Sequence, residues 1–164
     1  MPIGAWAFFK PIRVVAPGLM GLSCARDTVC SDVPSRLAEA TDLYDSALKY
    51  VEASVGSVEE PPRVIFCSTE ACGDRFGLGK RSGFTLGTFG SVIGEHAWRP
   101  FYVRHEIIHY VQSEKLGVLK AWRKPKWFRE GMAYALSGDP RSRLKEPFEL
   151  YRSEFERWYK QIGK

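Results

Sequence analysis

No apolar run in this chain is long enough to cross a membrane. Its apolar start, residues 1–22, is broken by Lys10, Pro11, Arg13 and Pro17, and it has no basic opening before the apolar stretch, so it reads poorly as an export signal. An extended segment laid against the domain is expected here, or the stub of a membrane-proximal region with an anchor upstream. Internal repeats and low-complexity tracts are missing too, so nothing divides the 164 residues, and a single domain over 1–164 is expected. There is no zinc-finger spacing, glycine-rich phosphate loop or aromatic RNA-binding pattern, and no nucleic-acid partner is expected.

Histidine is scarce, with three in the chain, and two of them fall in one short stretch. His105-Glu106-Ile107-Ile108-His109 lies in a helical pattern over residues 101–116, where Val103, Ile107, Ile108 and Val111 mark an apolar face. Residues four apart on a helix share a face, so both imidazoles can reach one metal ion. Glu106 sits one step round, close enough to meet a metal-held water without being a ligand. Zinc lowers the pKa of such a water towards neutrality, and a carboxylate then takes its proton as it attacks a carbonyl.

A catalytic zinc needs three protein ligands and an open fourth position. Glu130 follows His109 after twenty intervening residues, enough to finish one helix, turn at Gly117 and restart at Pro125 in a second helix packed on the first. The pattern that takes a third histidine just after the motif is excluded, because Gln112 and Lys115 occupy the positions it needs. His96, the remaining histidine, is a weaker alternative ligand.

Arg104-His105-Glu106-Ile107-Ile108-His109-Tyr110-Val111-Gln112, followed by Trp127-Phe128-Arg129-Glu130-Gly131-Met132-Ala133-Tyr134, resembles the core of the gluzincin metallopeptidases, and more narrowly the small bacterial peptidases of the MA-like type. The resemblance implies one zinc ion held by His105, His109 and Glu130, with Glu106 as general base and a peptide or protein as substrate. It implies an α+β fold: a small, mostly antiparallel sheet beside the two metal-binding helices, a minimal zincin-like catalytic lobe. No second lobe is legible, so a shallow cleft is expected, suited to flexible peptides or completed by a partner. Gluzincins hold substrate on the edge strand of their sheet, and Ser91-Val92-Ile93 is the candidate for that edge, an interior strand being the alternative. For the oxyanion, Tyr134 is the first candidate donor, with Tyr151 and Arg152 behind it. Asp139 is either a partner that orients a ligand histidine or a plain turn residue.

The remaining pattern predicts a helix over residues 34–55, a strand over 63–68, short strands at 84–86 and 91–93, and a final amphipathic helix over 147–162. Residues 1–100 carry ten basic and eleven acidic side chains and residues 101–164 fourteen and eight, so the net charge of +5 sits in the second part. Lys120, Arg123, Lys124, Lys126 and Arg129 cluster just before Glu130, as a solvated rim or as a site for anionic lipid or an acidic substrate. The four cysteines fall in two local pairs, which favours disulfides Cys24–Cys30 and Cys67–Cys72 and an extracytoplasmic setting. Four reduced thiols in a cytosolic chain, or a second, structural zinc, are the alternatives. Two functions remain open: a zinc peptidase, or a zinc-stabilised binding scaffold without turnover. The carboxylate at Glu106, which a closed structural site does not need, favours the first.

Overall fold

The computed structural model describes residues 10–162. Its helices are α1 (Lys10–Val15), α2 (Leu37–Ser54), α3 (Glu70–Arg75), α4 (Pro100–Leu116), α5 (Val118–Arg123), α6 (Lys126–Leu136) and α7 (Phe148–Ile162). The strands are β1 (Ser23–Ala25), β2 (Val29–Ser31), β3 (Val64–Phe66), β4 (Gly83–Leu86) and β5 (Gly90–Ile93), paired in the order β1-β2-β3-β5-β4. The architecture is α+β, as expected. The sheet is mixed rather than mostly antiparallel: the hairpins β1/β2 and β4/β5 are antiparallel, while β2/β3 and β3/β5 are parallel. Helix α2 carries the chain back across the sheet between β2 and β3, which makes that pair parallel, while β3 and β5 are joined through α3 and the β4 arm of the hairpin.

Alternation along the strands sends side chains to two cores. Val64 and Phe66 of β3, with Ile93 of β5, face a cluster completed by Tyr44 and Val51 of α2 and by Val103, Ile107, Ile108 and Val111 of α4. Ile65 and Val92 point the other way, onto Val14 of α1, Cys72 of α3 and Phe76. Every residue of β3 and β5 is buried, because helices cover both faces. The four predicted apolar positions of α4 all lie in the first core, which seats the motif helix directly on the sheet.

Two expectations are corrected by this arrangement. Residues 10–20 are not extended: α1 is followed by a 3-10 turn over Pro17–Met20, and Val14 is fully buried in the second core. The rest of the expected N-terminal segment, residues 1–9, lies outside the described residues. Ser91, Val92 and Ile93 do not form an edge: β5 pairs with β3 on one side and β4 on the other. The edge next to α4 is β4, and its backbone is paired on one side only.

Both favoured disulfides are formed. Cys24–Cys30 joins directly opposed residues of the β1/β2 hairpin with Cα atoms 4.0 Å apart, and Cys67–Cys72 ties the end of β3 to α3 at 5.3 Å. Two such bonds are consistent with an extracytoplasmic location. Among the described residues, no helix is long and apolar enough to cross a membrane.

Candidate metal centre and cleft

The second ligand helix approaches the first because α6 is itself held by α7. Gly131 lies where α7 comes closest: a Cβ there would stand 2.2 Å from the Tyr151 carbonyl oxygen and 2.8 Å from Phe155 Cβ. Phe128 adds edge-on ring contacts to Phe155 and Trp158. Glu130, the residue before this contact, is thereby turned back towards α4.

His105, His109 and Glu130 converge there. The two Nε2 atoms are 3.1 Å apart, and Glu130 Oε2 is 3.7 Å from the first and 3.5 Å from the second. A tetrahedral ion with bonds of about 2.1 Å separates its ligand atoms by about 3.4 Å. The three donors therefore fit one ion as they stand, and they could hold a metal.

The hydrogen bonds behind His109 fix its tautomer. Gln112 Nε2 donates to the Arg129 carbonyl oxygen at 3.0 Å, and a carbonyl can only accept. That turns Gln112 Oε1 towards His109 Nδ1, 3.0 Å away, so in the neutral ring Nδ1 keeps the proton and Nε2 is the nitrogen that presents a lone pair. Gln112 thus links a ligand on α4 to the residue preceding the ligand on α6. Burial pulls the His109 pKa down, but the Glu130 carboxylate beside it outweighs this and lifts it from 6.5 to about 9. Burial opposes ionisation of Glu130, and the bonds from His105 and His109 overcome it, holding the carboxyl well below the usual range.

Glu106 is 93 % removed from solvent yet lines the cleft beside the histidines. Thr85 Oγ1 of β4 lies 2.7 Å from Glu106 Oε2 and 2.9 Å from both the Glu106 main-chain oxygen and Ser91 Oγ. Thr85 has one proton to give, and the carboxylate and carbonyl can only accept, so Ser91 donates to Thr85 and Thr85 to Glu106. Ser91 therefore acts from beneath the cleft floor. Gly83, also on β4, leaves room for this carboxylate: a Cβ would sit 2.9 Å from Glu106 Oε1.

The cleft encloses about 750 Å³, with β4 along one wall and α5, α6 and Tyr134 along the others. The Tyr134 ring meets His105 edge-on at 4.4 Å between centroids, and burial, then the Glu130 charge, pushes its hydroxyl up to about 12. Asp139 does not orient a histidine. It accepts from Arg141, whose guanidinium sits over Phe101 at 5.3 Å and within 5.9 Å of the Tyr134 ring. Lys80, Arg81 and Arg129 also line the cleft.

Tyr151 and Arg152 lie outside the cleft, the latter bonded to Glu149 and to the Arg141 and Ser142 carbonyls. His96 is not a ligand: it stands on the turn Glu95–Ala97, its side chain 94 % exposed beside Glu95. Thr85, Gly83, Arg141 and the role of Gln112 went unseen in the sequence. Of these only Gln112 left a local signal, three residues after His109 on the same helical face.

Compared with protein-family models, curated proteins and solved structures, the chain matches none.

Proposed function

We propose that this chain is a zinc-dependent peptidase of the gluzincin type. The observation that carries the reading is the pairing of three donors at tetrahedral spacing with a carboxylate that is not part of the donor set. Glu106 faces the same cleft and is held by its own hydrogen bond. Zinc, when bound, would supply a Lewis acid for the carbonyl and lower the pKa of the attacking water.

The chain's own groups account for the remaining work. Glu106 takes the proton of the attacking water and delivers it to the leaving amine nitrogen. Thr85 engages Oε2, so Oε1 is the oxygen assigned to that transfer. Tyr134 keeps its proton throughout the neutral range and is the donor assigned to the carbonyl oxygen as it gains charge. The unpaired side of β4 offers its N–H and C=O groups to an extended peptide, a mode of binding that orders substrate through main-chain bonds.

The test is to load wild type and Glu106→Gln with zinc and challenge both with a library of internally quenched peptides. The expected result is one zinc in each protein and hydrolysis by wild type alone. A variant that cleaves as fast as wild type removes Glu106 from the chemistry. Zinc-loaded wild type that cleaves nothing in the library favours the binding scaffold.

A further inference from the structure

From residue 117 to residue 126 every side chain except that of Ala121 is exposed. This stretch contains α5, and its apolar members are unusually open: Val118 is 46 %, Leu119 59 % and Trp122 70 % exposed. The β4/β5 hairpin touches the same helix, since a Cβ on Gly87 would meet the Val118 methyls at 2.9 Å, and this hairpin carries Phe89, itself 49 % exposed. Soluble surfaces rarely gather large apolar groups in this way without something to cover them.

The charge around this face is of one sign. Between Glu114 and Glu130 there are six basic residues and no acidic one. Among the described residues no salt bridge neutralises Lys120, Arg123, Lys124 or Lys126. A second copy of the chain docked here would set these cations against their own kind. Phosphate groups alone would satisfy the cations but leave Val118 and Leu119 in water. An anionic bilayer surface satisfies both, with Trp at headgroup level, Leu and Val below it, and Lys and Arg against the lipid phosphates.

We infer that α5, with the β4/β5 hairpin beside it, is a docking surface for an anionic membrane. Val118, Ala121 and Trp122 also line the cleft. Docking by this face sets the cleft mouth at the bilayer surface, where chain segments next to the membrane would reach β4.

The experiment is co-sedimentation of the full chain with vesicles of equimolar phosphatidylcholine and phosphatidylserine, against vesicles of phosphatidylcholine alone. It needs no catalysis and is repeated in Glu106→Gln, so its outcome is independent of the peptidase assignment. Wild type is expected to bind the anionic vesicles and to release them as salt rises. Leu119→Ala with Trp122→Ala should weaken partitioning by about tenfold. Replacing Lys120, Arg123, Lys124 and Lys126 by Ala should weaken it by about fivefold per cation. Far-ultraviolet circular dichroism and the melting temperature check that both variants are folded. Wild type that ignores anionic vesicles overturns the inference. So does binding undiminished in both folded variants, which would assign it to the apolar residues 1–9. A concentration-dependent dimer abolished by the Leu119 and Trp122 changes would overturn it in favour of a second copy.

Discussion

Thr85 Oγ1 stands 2.7 Å from Glu106 Oε2 and ties the edge strand of the sheet to the helix that carries both histidines. A hydrogen bond to a charged group contributes about 1.5–3 kcal/mol, so losing this one leaves the base free to rotate. Thr85→Val should lower kcat by roughly ten- to a hundredfold while zinc affinity stays within about twofold. Thr85→Ser, which keeps the hydroxyl, should recover most of the rate. Steady-state kinetics beside chelator competition separates the two effects, and a Thr85→Val enzyme of wild-type kcat would remove the bond from the mechanism.

Gln112 gives a complementary case, because it acts on the metal side and not on the base. Its carboxamide holds the His109 proton on Nδ1 and is itself held by the Arg129 carbonyl. Gln112→Leu removes the acceptor and frees the imidazole to turn or to change tautomer. Partners of this kind support metal affinity by about ten- to a hundredfold, and a loss of that size is expected. Competition with a zinc chelator measures it; unchanged affinity would mean that packing alone orients His109.

What the sequence discloses about this site depends on how far apart its parts lie along the chain. His105, Glu106 and His109 share one helix, and Gln112 continues the same face, so periodicity alone places them. Glu130 is legible because a glycine and a proline punctuate the interval, and the cysteines pair over spans of five and six residues. The edge strand is not legible. Residues 84–86 and 91–93 form the two arms of one hairpin, and only the pairing of β5 with β3 decides which arm is left outside. Thr85 was hidden for the same reason, since it meets Glu106 only once that order is set. The β1/β2 hairpin escaped for a local reason. Its turn puts Arg26 and Asp27 at φ of 54° and 55°, where Asn-Gly is the usual sign.

The titration of His109 and Glu130 predicts how metal uptake depends on pH. In the metal-free protein His109 titrates near 9, raised from 6.5, so at neutral pH its ring carries a proton opposite ionised Glu130. A ligand nitrogen must be free of its proton, so zinc binding near pH 7 is expected to release about one proton. Affinity should rise with pH and level off above about 9. Calorimetric titration in buffers of different protonation enthalpy counts the proton, and zero release would contradict the His109 assignment. The same pair bears on metal-free stability. The raised His109 pKa contributes stability that is full below 6.5 and lost as pH rises through about 9. The lowered Glu130 pKa contributes stability that is present above 4.5 and lost as pH falls through its depressed value. Zinc-free protein should therefore melt highest between these limits, and a melting temperature that keeps climbing to pH 9 would sink the pairing.

Two glycines beside the site should respond to alanine differently, one through stability and zinc binding and the other through kcat. At Gly131 the added methyl would stand 2.2 Å from the Tyr151 carbonyl oxygen, a backbone atom that cannot yield unless α7 moves off α6. Overpacking of this kind costs about 1–3 kcal/mol, so Gly131→Ala should lower the melting temperature by several degrees and weaken zinc binding as Glu130 shifts with its helix. At Gly83 the nearest atom is Glu106 Oε1, 2.9 Å away, the far end of a side chain that can swing aside. The nearest backbone atom, the Val92 carbonyl oxygen, is 3.0 Å away, where it need give by only a few tenths of an ångström. Gly83→Ala should then cost less stability and leave zinc bound, but displace the base from the attacking water and lower kcat by about tenfold. Thermal unfolding, zinc content and kcat measured on both variants test the contrast. If Gly83→Ala kept full activity, the oxygen assigned to proton transfer would have to be Oε2, and the bond from Thr85 would have to break during turnover.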